Sequence, residues 1–106
     1  MGGLEVQDRK TGEFVPAHPV DGTVVVNIGD LLERWSNNVL RSTIHRVVLP
    51  TPKEGETRTP QRNSIAAFHN PDWDATIATI PGTGEPKYEP VNCHEYLTKR
   101  LSETFK

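Results

Sequence analysis

Along the first part of the chain apolar residues alternate with polar ones instead of recurring every third or fourth position. Across residues 3–7, Leu4 and Val6 fall on one face and Glu5 and Gln7 on the other, which predicts a half-buried strand. Residues 8–12 are dense in turn formers, and Phe14-Val15 resumes an extended pattern that Pro16 and Pro19 punctuate, so a hairpin is expected. After an Asp21-Gly22 turn, residues 23–28 form a β-branched run with Asn27 as a polar member, the strongest strand signal in the chain. Gly29 breaks it. Asp30 stands three residues before Glu33, the spacing of a capping box, and Leu31, Leu32 and Trp35 supply one apolar face. A helix of about two turns follows from this pattern, stopped at Ser36-Asn37-Asn38 because Asn tolerates a left-handed conformation.

The same pattern predicts a second β-branched strand over residues 42–49, closed by Pro50 and Pro52, and an exposed loop over 51–61. Residues 64–69 and 75–80 are expected to be further strands, the first stopped by Asn70-Pro71-Asp72. Gly82-Thr83-Gly84 lacks the third glycine and the strand-to-helix setting of a dinucleotide fingerprint, and implies only flexibility. A C-terminal helix is expected over residues 91–106, on the rhythm of Tyr96, Leu97, Leu101 and Phe105. The elements describe a mainly β chain with one short internal helix and one C-terminal helix.

Composition narrows the classes available. With 106 residues, 34% apolar and 25% charged, the chain is a single domain, 1–106, whose core must be thin. A net charge of −2 with Lys and Arg scattered among acids gives no footprint for nucleic acid. No apolar run approaches the roughly 20 residues that span a bilayer, and MGGLEVQ has neither the basic nor the apolar part of a signal peptide. Val6 stands where an N-myristoylation motif needs Ser or Thr. No membrane partner is expected, and the chain is read as soluble and cytoplasmic. Cys93, the one cysteine, forms no intramolecular disulfide or thiolate zinc site and is expected to be a buried or half-buried thiol.

Two features carry chemistry. His45 lies within the second β-branched run, on the face of Thr43 and Val47; a lone strand histidine is ordinarily a hydrogen-bonded core or rim residue. Arg62 and Ser64, two apart, share one face of an extended chain, where a guanidinium fork and a hydroxyl suit a carboxylate. An arginine at a strand entrance is otherwise simply solvated.

Taken together, VVNIGDLLERWSNNVLRSTIHRVVLP, the polar loop after it and QRNSIAAFHNP resemble the C-terminal part of the 2-oxoglutarate- and Fe(II)-dependent dioxygenases of the isopenicillin N synthase-like type. GGLEVQ resembles the strand just upstream, and KYEPVNCHEYLTKRLSETF matches the closing helix more loosely. The resemblance implies a partial double-stranded β-helix, or jelly roll, with its strands in residues 1–71. It makes His45 of STIHRVV the distal histidine ligand of iron, and Arg62 and Ser64 the pair that binds the far carboxylate of 2-oxoglutarate. Asn27 takes a supporting polar role. Iron(II) held by two His and one carboxylate leaves positions for a chelating keto acid and oxygen. The implied reaction decarboxylates 2-oxoglutarate and hydroxylates or desaturates an unknown small-molecule substrate.

The family supplies its other ligands as His-x-Asp or His-x-Glu on an earlier strand. Here the four histidines precede Pro19-Val20, Arg46-Val47, Asn70-Pro71 and Glu95-Tyr96, so no acid stands two residues after any of them. The iron site is therefore expected to be incomplete in this chain. The chain is read as the cosubstrate-binding C-terminal half of an oxygenase, inactive alone, partnered by the N-terminal portion of the same fold or by self-association. The alternative is a non-catalytic jelly-roll remnant or interaction module in which His45 is structural.

Overall fold

Leu4–Gln7 (β1) forms where the alternation predicts it, and a computed structural model describing residues 2–104 shows what it pairs with. On one side lies Phe14–Pro16 (β2), antiparallel with Val6 opposite Val15; on the other lies His45–Val47 (β3), antiparallel with Val6 opposite His45. The order is β2-β1-β3. The hairpin turn is held by Asp8, whose Oδ1 accepts the backbone N–H of Lys10 at 2.7 Å and of Thr11 at 3.0 Å. These two bonds, Thr11's first, hold the Asp8 carboxyl below its ordinary value. This sheet belongs to one compact unit, Met1–Asn27 with Thr43–Ala66; the other comprises Ile28–Ser42 with Ala67–Lys106.

The second unit is built on Asp30–Trp35 (α1), the two-stranded antiparallel pair Thr76–Ile77 (β4) and Val91–Asn92 (β5), and Cys93–Thr104 (α2). Its core is Leu31, Ile77 and Cys93, with Trp35, Val91, Tyr96 and Leu97 packed against them. Cys93 is fully buried, as expected of a lone thiol. Trp73 and His94 meet edge to face with ring centroids 4.6 Å apart. No helix among the described residues is long and apolar enough to cross a membrane.

Several expectations are corrected. Residues 23–28 and 64–69 take no strand pairing among the described residues. A strand needs a neighbour for its amides and carbonyls as well as β-branched side chains, and neither segment has one, so Val24 and Val26 are more than four-fifths exposed and Ile65 fully so. The strands expected over 42–49 and 75–80 shorten to the paired residues His45–Val47 and Thr76–Ile77. The C-terminal helix starts at Cys93, because Val91–Asn92 is taken up by β4, and Asn92 Oδ1 caps it by accepting the Glu95 N–H at 3.1 Å. Phe105 and Lys106 lie outside the described residues. Asp30 does not cap α1: Gly29 is the capping residue, and Asp30 Oδ2 instead accepts Tyr96 Oη at 3.2 Å and Arg100 Nε at 2.5 Å. The helix does stop at the asparagines, with φ +52° at Asn37 and +66° at Asn38.

Candidate functional site

His45 is placed by the β1–β3 ladder. Its register opposite Val6 puts it on the sheet face of Leu4, Val6, Val15 and Val47, and it is exposed there. The imidazole Nδ1 lies 3.1 Å from the Thr43 carbonyl oxygen. A carbonyl only accepts, so in this bond Nδ1 is the donor; in a neutral imidazole with that bond Nε2 is the acceptor nitrogen, the arrangement in which a histidine ligates metal through Nε2. On the opposite face Arg46 Nε bonds Glu5 Oε2 at 2.6 Å, with its guanidinium 4.0 Å above the Phe14 ring. One side chain thus ties β3 to β1 and to β2.

Arg62 is half-buried. Its Nε donates to the Gly2 carbonyl at 3.0 Å, and neither Nη has a hydrogen bond or ion pair among the described residues. The acids of the preceding loop, Glu54 and Glu56, are not its partners. Gly3, next to that carbonyl, accepts the Val48 N–H at 2.8 Å, so Arg62 lies at the end of the ladder that carries His45. Val48 is three residues beyond His45, about 10 Å along an extended strand.

Ser64 is exposed and outside any strand, and its hydroxyl has no hydrogen bond among the described residues. Arg62, two residues before it, likewise lies outside any strand among the described residues. Asn27 is exposed in the irregular stretch before Gly29 and likewise makes no hydrogen bond there. Among the described residues no group of three or more His, Cys, Asp or Glu side chains could hold a metal ion. His45 thus lies in β3 and Arg62, itself outside any strand, is hydrogen-bonded to the backbone at the end of the β1–β3 ladder, while Ser64 and Asn27 make no hydrogen bond to either among the described residues. The backbone of Gly2 and Gly3, the Thr43 carbonyl and the Arg46 clamp are not predicted by the sequence pattern; the glycine pair before β1 marks only a place where backbone and side chains can come close.

Among the described residues the arrangement offers one imidazole hydrogen-bonded at Nδ1 and one guanidinium anchored through Nε with no hydrogen bond at its Nη groups. The profile of the 2OG-Fe(II) oxygenase superfamily matches residues 1–71, which include Asn27, His45, Arg62 and Ser64. The chain is 40% identical to the 2-oxoglutarate-dependent dioxygenase ecdK of Aspergillus rugulosus over 94% of its own length and 32% of that protein. It is 39% identical to the proline hydroxylase buaE of Petromyces alliaceus over 99% of its length and 35% of that protein. The crystal structure of a Neurospora crassa protein in complex with alpha-KG and thymine matches at a TM-score of 0.75 and 39% identity, covering 97% of this chain and 31% of that one. The chain therefore spans about a third of the length of its relatives and corresponds to their C-terminal part. Its fold is the partial jelly roll of these oxygenases, with the short internal helix and the C-terminal helix in place. On the profile match and on identities of 39% and 40%, this chain belongs to the 2OG-Fe(II) oxygenase superfamily.

Proposed function

We propose that residues 1–106 are the cosubstrate-binding C-terminal portion of one oxygenase domain. Arg62 holds the far carboxylate of 2-oxoglutarate through its free Nη groups, and Ser64 adds a donor once its segment is extended against a neighbouring strand. His45 offers Nε2 as one iron ligand, and Asn27 has a supporting polar role. The other iron ligands come from outside these residues, so the chain alone is inactive. Iron(II), when bound, supplies the redox chemistry that couples 2-oxoglutarate decarboxylation to oxidation of a second molecule. We take that oxidation to be the hydroxylation of a small molecule, in line with a relative named proline hydroxylase and a neighbour solved with thymine.

The observation that carries this reading is the pinned guanidinium. Arg62 is fixed through Nε, keeps its Nη edge without a hydrogen bond among the described residues, and is seated at the end of the ladder that carries His45, whose Nδ1 is already hydrogen-bonded. Calorimetric titration of 2-oxoglutarate into the chain tests it. Saturable binding that disappears in Arg62→Ala is expected, whereas equal heats in both proteins would remove the cosubstrate assignment. Turnover by the isolated chain with Fe(II) would contradict the single-ligand reading of His45.

A further inference from the structure

We infer that Gly3 is a positioning residue for Arg62: the missing side chain at this position lets the guanidinium rest on the backbone of residues 2 and 3, which aims its free edge at a carboxylate. This rests on the assignment of Arg62 as the carboxylate anchor, and goes beyond it by naming what sets the anchor's direction.

Gly3 has φ +109°, a conformation that side chains rarely adopt. A Cβ built there would lie 2.6 Å from the Val48 carbonyl oxygen, 3.0 Å from Arg62 Nε and 3.5 Å from Arg62 Cδ. Both neighbours are held in place. Val48 is tied to this same glycine by its N–H on the Gly3 carbonyl at 2.8 Å, and Arg62 is tied to the preceding residue by Nε on the Gly2 carbonyl at 3.0 Å. The Val48 oxygen is backbone and cannot swing aside. A Cβ at position 3 therefore pushes the start of β1 away from Val48, carrying the Gly2 carbonyl with it, or drives the Arg62 side chain off. In either case the Nε bond is lost.

The chemistry explains why that bond matters. With Nε occupied, the guanidinium cannot spin about its stem, and the Nη pair is the one edge left for a ligand. A fork fixed in this way spends less rotational freedom when a carboxylate arrives. Gly12 provides the comparison: it has φ +74° but nothing within 4 Å of its would-be Cβ, so alanine there introduces the backbone strain without the contact.

The test compares wild type, Gly3→Ala, Gly3→Asn and Gly12→Ala, with solvent exchange of the Arg62 Nε–H followed by nitrogen-15 NMR and 2-oxoglutarate titrated by calorimetry. Asn tolerates positive φ better than Ala and carries the same Cβ, so it keeps the test open if Gly3→Ala does not fold. Both Gly3 variants should exchange the Nε–H at least about tenfold faster and bind 2-oxoglutarate about tenfold more weakly, the effect of one lost hydrogen bond. Gly12→Ala should change neither. A protected Nε–H with wild-type affinity in the Gly3 variants overturns the inference, as does an equal loss in Gly12→Ala. If Arg62→Ala binds as wild type does, the anchor assignment fails, and the exchange rates still decide whether Gly3 seats the side chain.

Discussion

Asn37 binds Lys87 twice: its Oδ1 accepts the Lys87 backbone N–H at 2.9 Å, and its own carbonyl accepts Lys87 Nζ at 3.4 Å. Its Nδ2 donates to the carbonyls of Thr83 at 3.1 Å and Glu85 at 2.9 Å, and the residue is 1% exposed. One asparagine thus ends α1 and holds the loop before Tyr88, whose hydroxyl in turn donates to Asn38 Oδ1 at 2.7 Å.

Asn37→Ala strands three backbone groups and places a Cβ-bearing residue without a side-chain bond at φ +52°. A loss of about 2–4 kcal/mol in urea-induced unfolding is expected. Asn37→Gly should cost about 1 kcal/mol less, because it removes the conformational part and keeps the lost bonds. Equal stability of all three proteins would show that the loop does not depend on this side chain.

For Arg62, replacement by Lys keeps the charge and loses the planar fork. The free energy of 2-oxoglutarate binding should fall by about 1.5–3 kcal/mol, and Ser64→Ala should cost about 1 kcal/mol or less because it removes a neutral donor. Titration of both variants checks the order; a larger loss in Ser64→Ala would reverse the roles.

Tyr96 gives the second unit an alkaline limit. Burial first, then the negative charge and hydrogen bond of Asp30, raise its phenol above the ordinary 10.0. The folded state prefers the neutral phenol, so this stabilisation is complete below pH 10.0 and is lost as pH rises through the higher folded value. Urea midpoints measured from pH 8 to 11 should drop more steeply for wild type than for Tyr96→Phe; parallel curves would exclude the effect.

Arg46 should matter through two contacts of different kinds. Its pair with Glu5 is partly exposed and worth about 0.2–1 kcal/mol, and its contact with Phe14 adds about 0.5–1 kcal/mol. A double-mutant cycle of Arg46→Ala with Phe14→Leu, read by thermal unfolding, should therefore show positive coupling. Strict additivity would mean that the ring and the guanidinium act independently.

Local patterns made the local elements legible. Leu4 and Val6 announced β1, and Leu31, Leu32 and Trp35 announced α1, because both signals lie within one element. Residues 23–28 carry the same β-branched signal and form no strand, since propensity describes fit to a sheet and a partner must supply the ladder. The Asn37 latch was invisible for a related reason: its bonds run to residues 46 to 50 positions away, and the sequence indicated only a helix stop and a flexible loop. The proposed roles of His45, Arg62 and Ser64 rest on motif resemblance. The seat under Arg62 uses a main-chain carbonyl 60 residues distant, and main-chain acceptors leave no mark on composition or spacing.

The unpaired stretch over residues 23–28 has a consequence for how the polypeptide behaves in concentrated solution. It is six residues of high strand propensity with no charge and no proline, and its valines are open to solvent. Segments of that description stack into cross-β fibrils, each backbone finding in an identical copy the neighbour it lacks. Thioflavin fluorescence should rise on incubation at high concentration, and Val25→Lys, which places a charge at the middle of the stack, should suppress it.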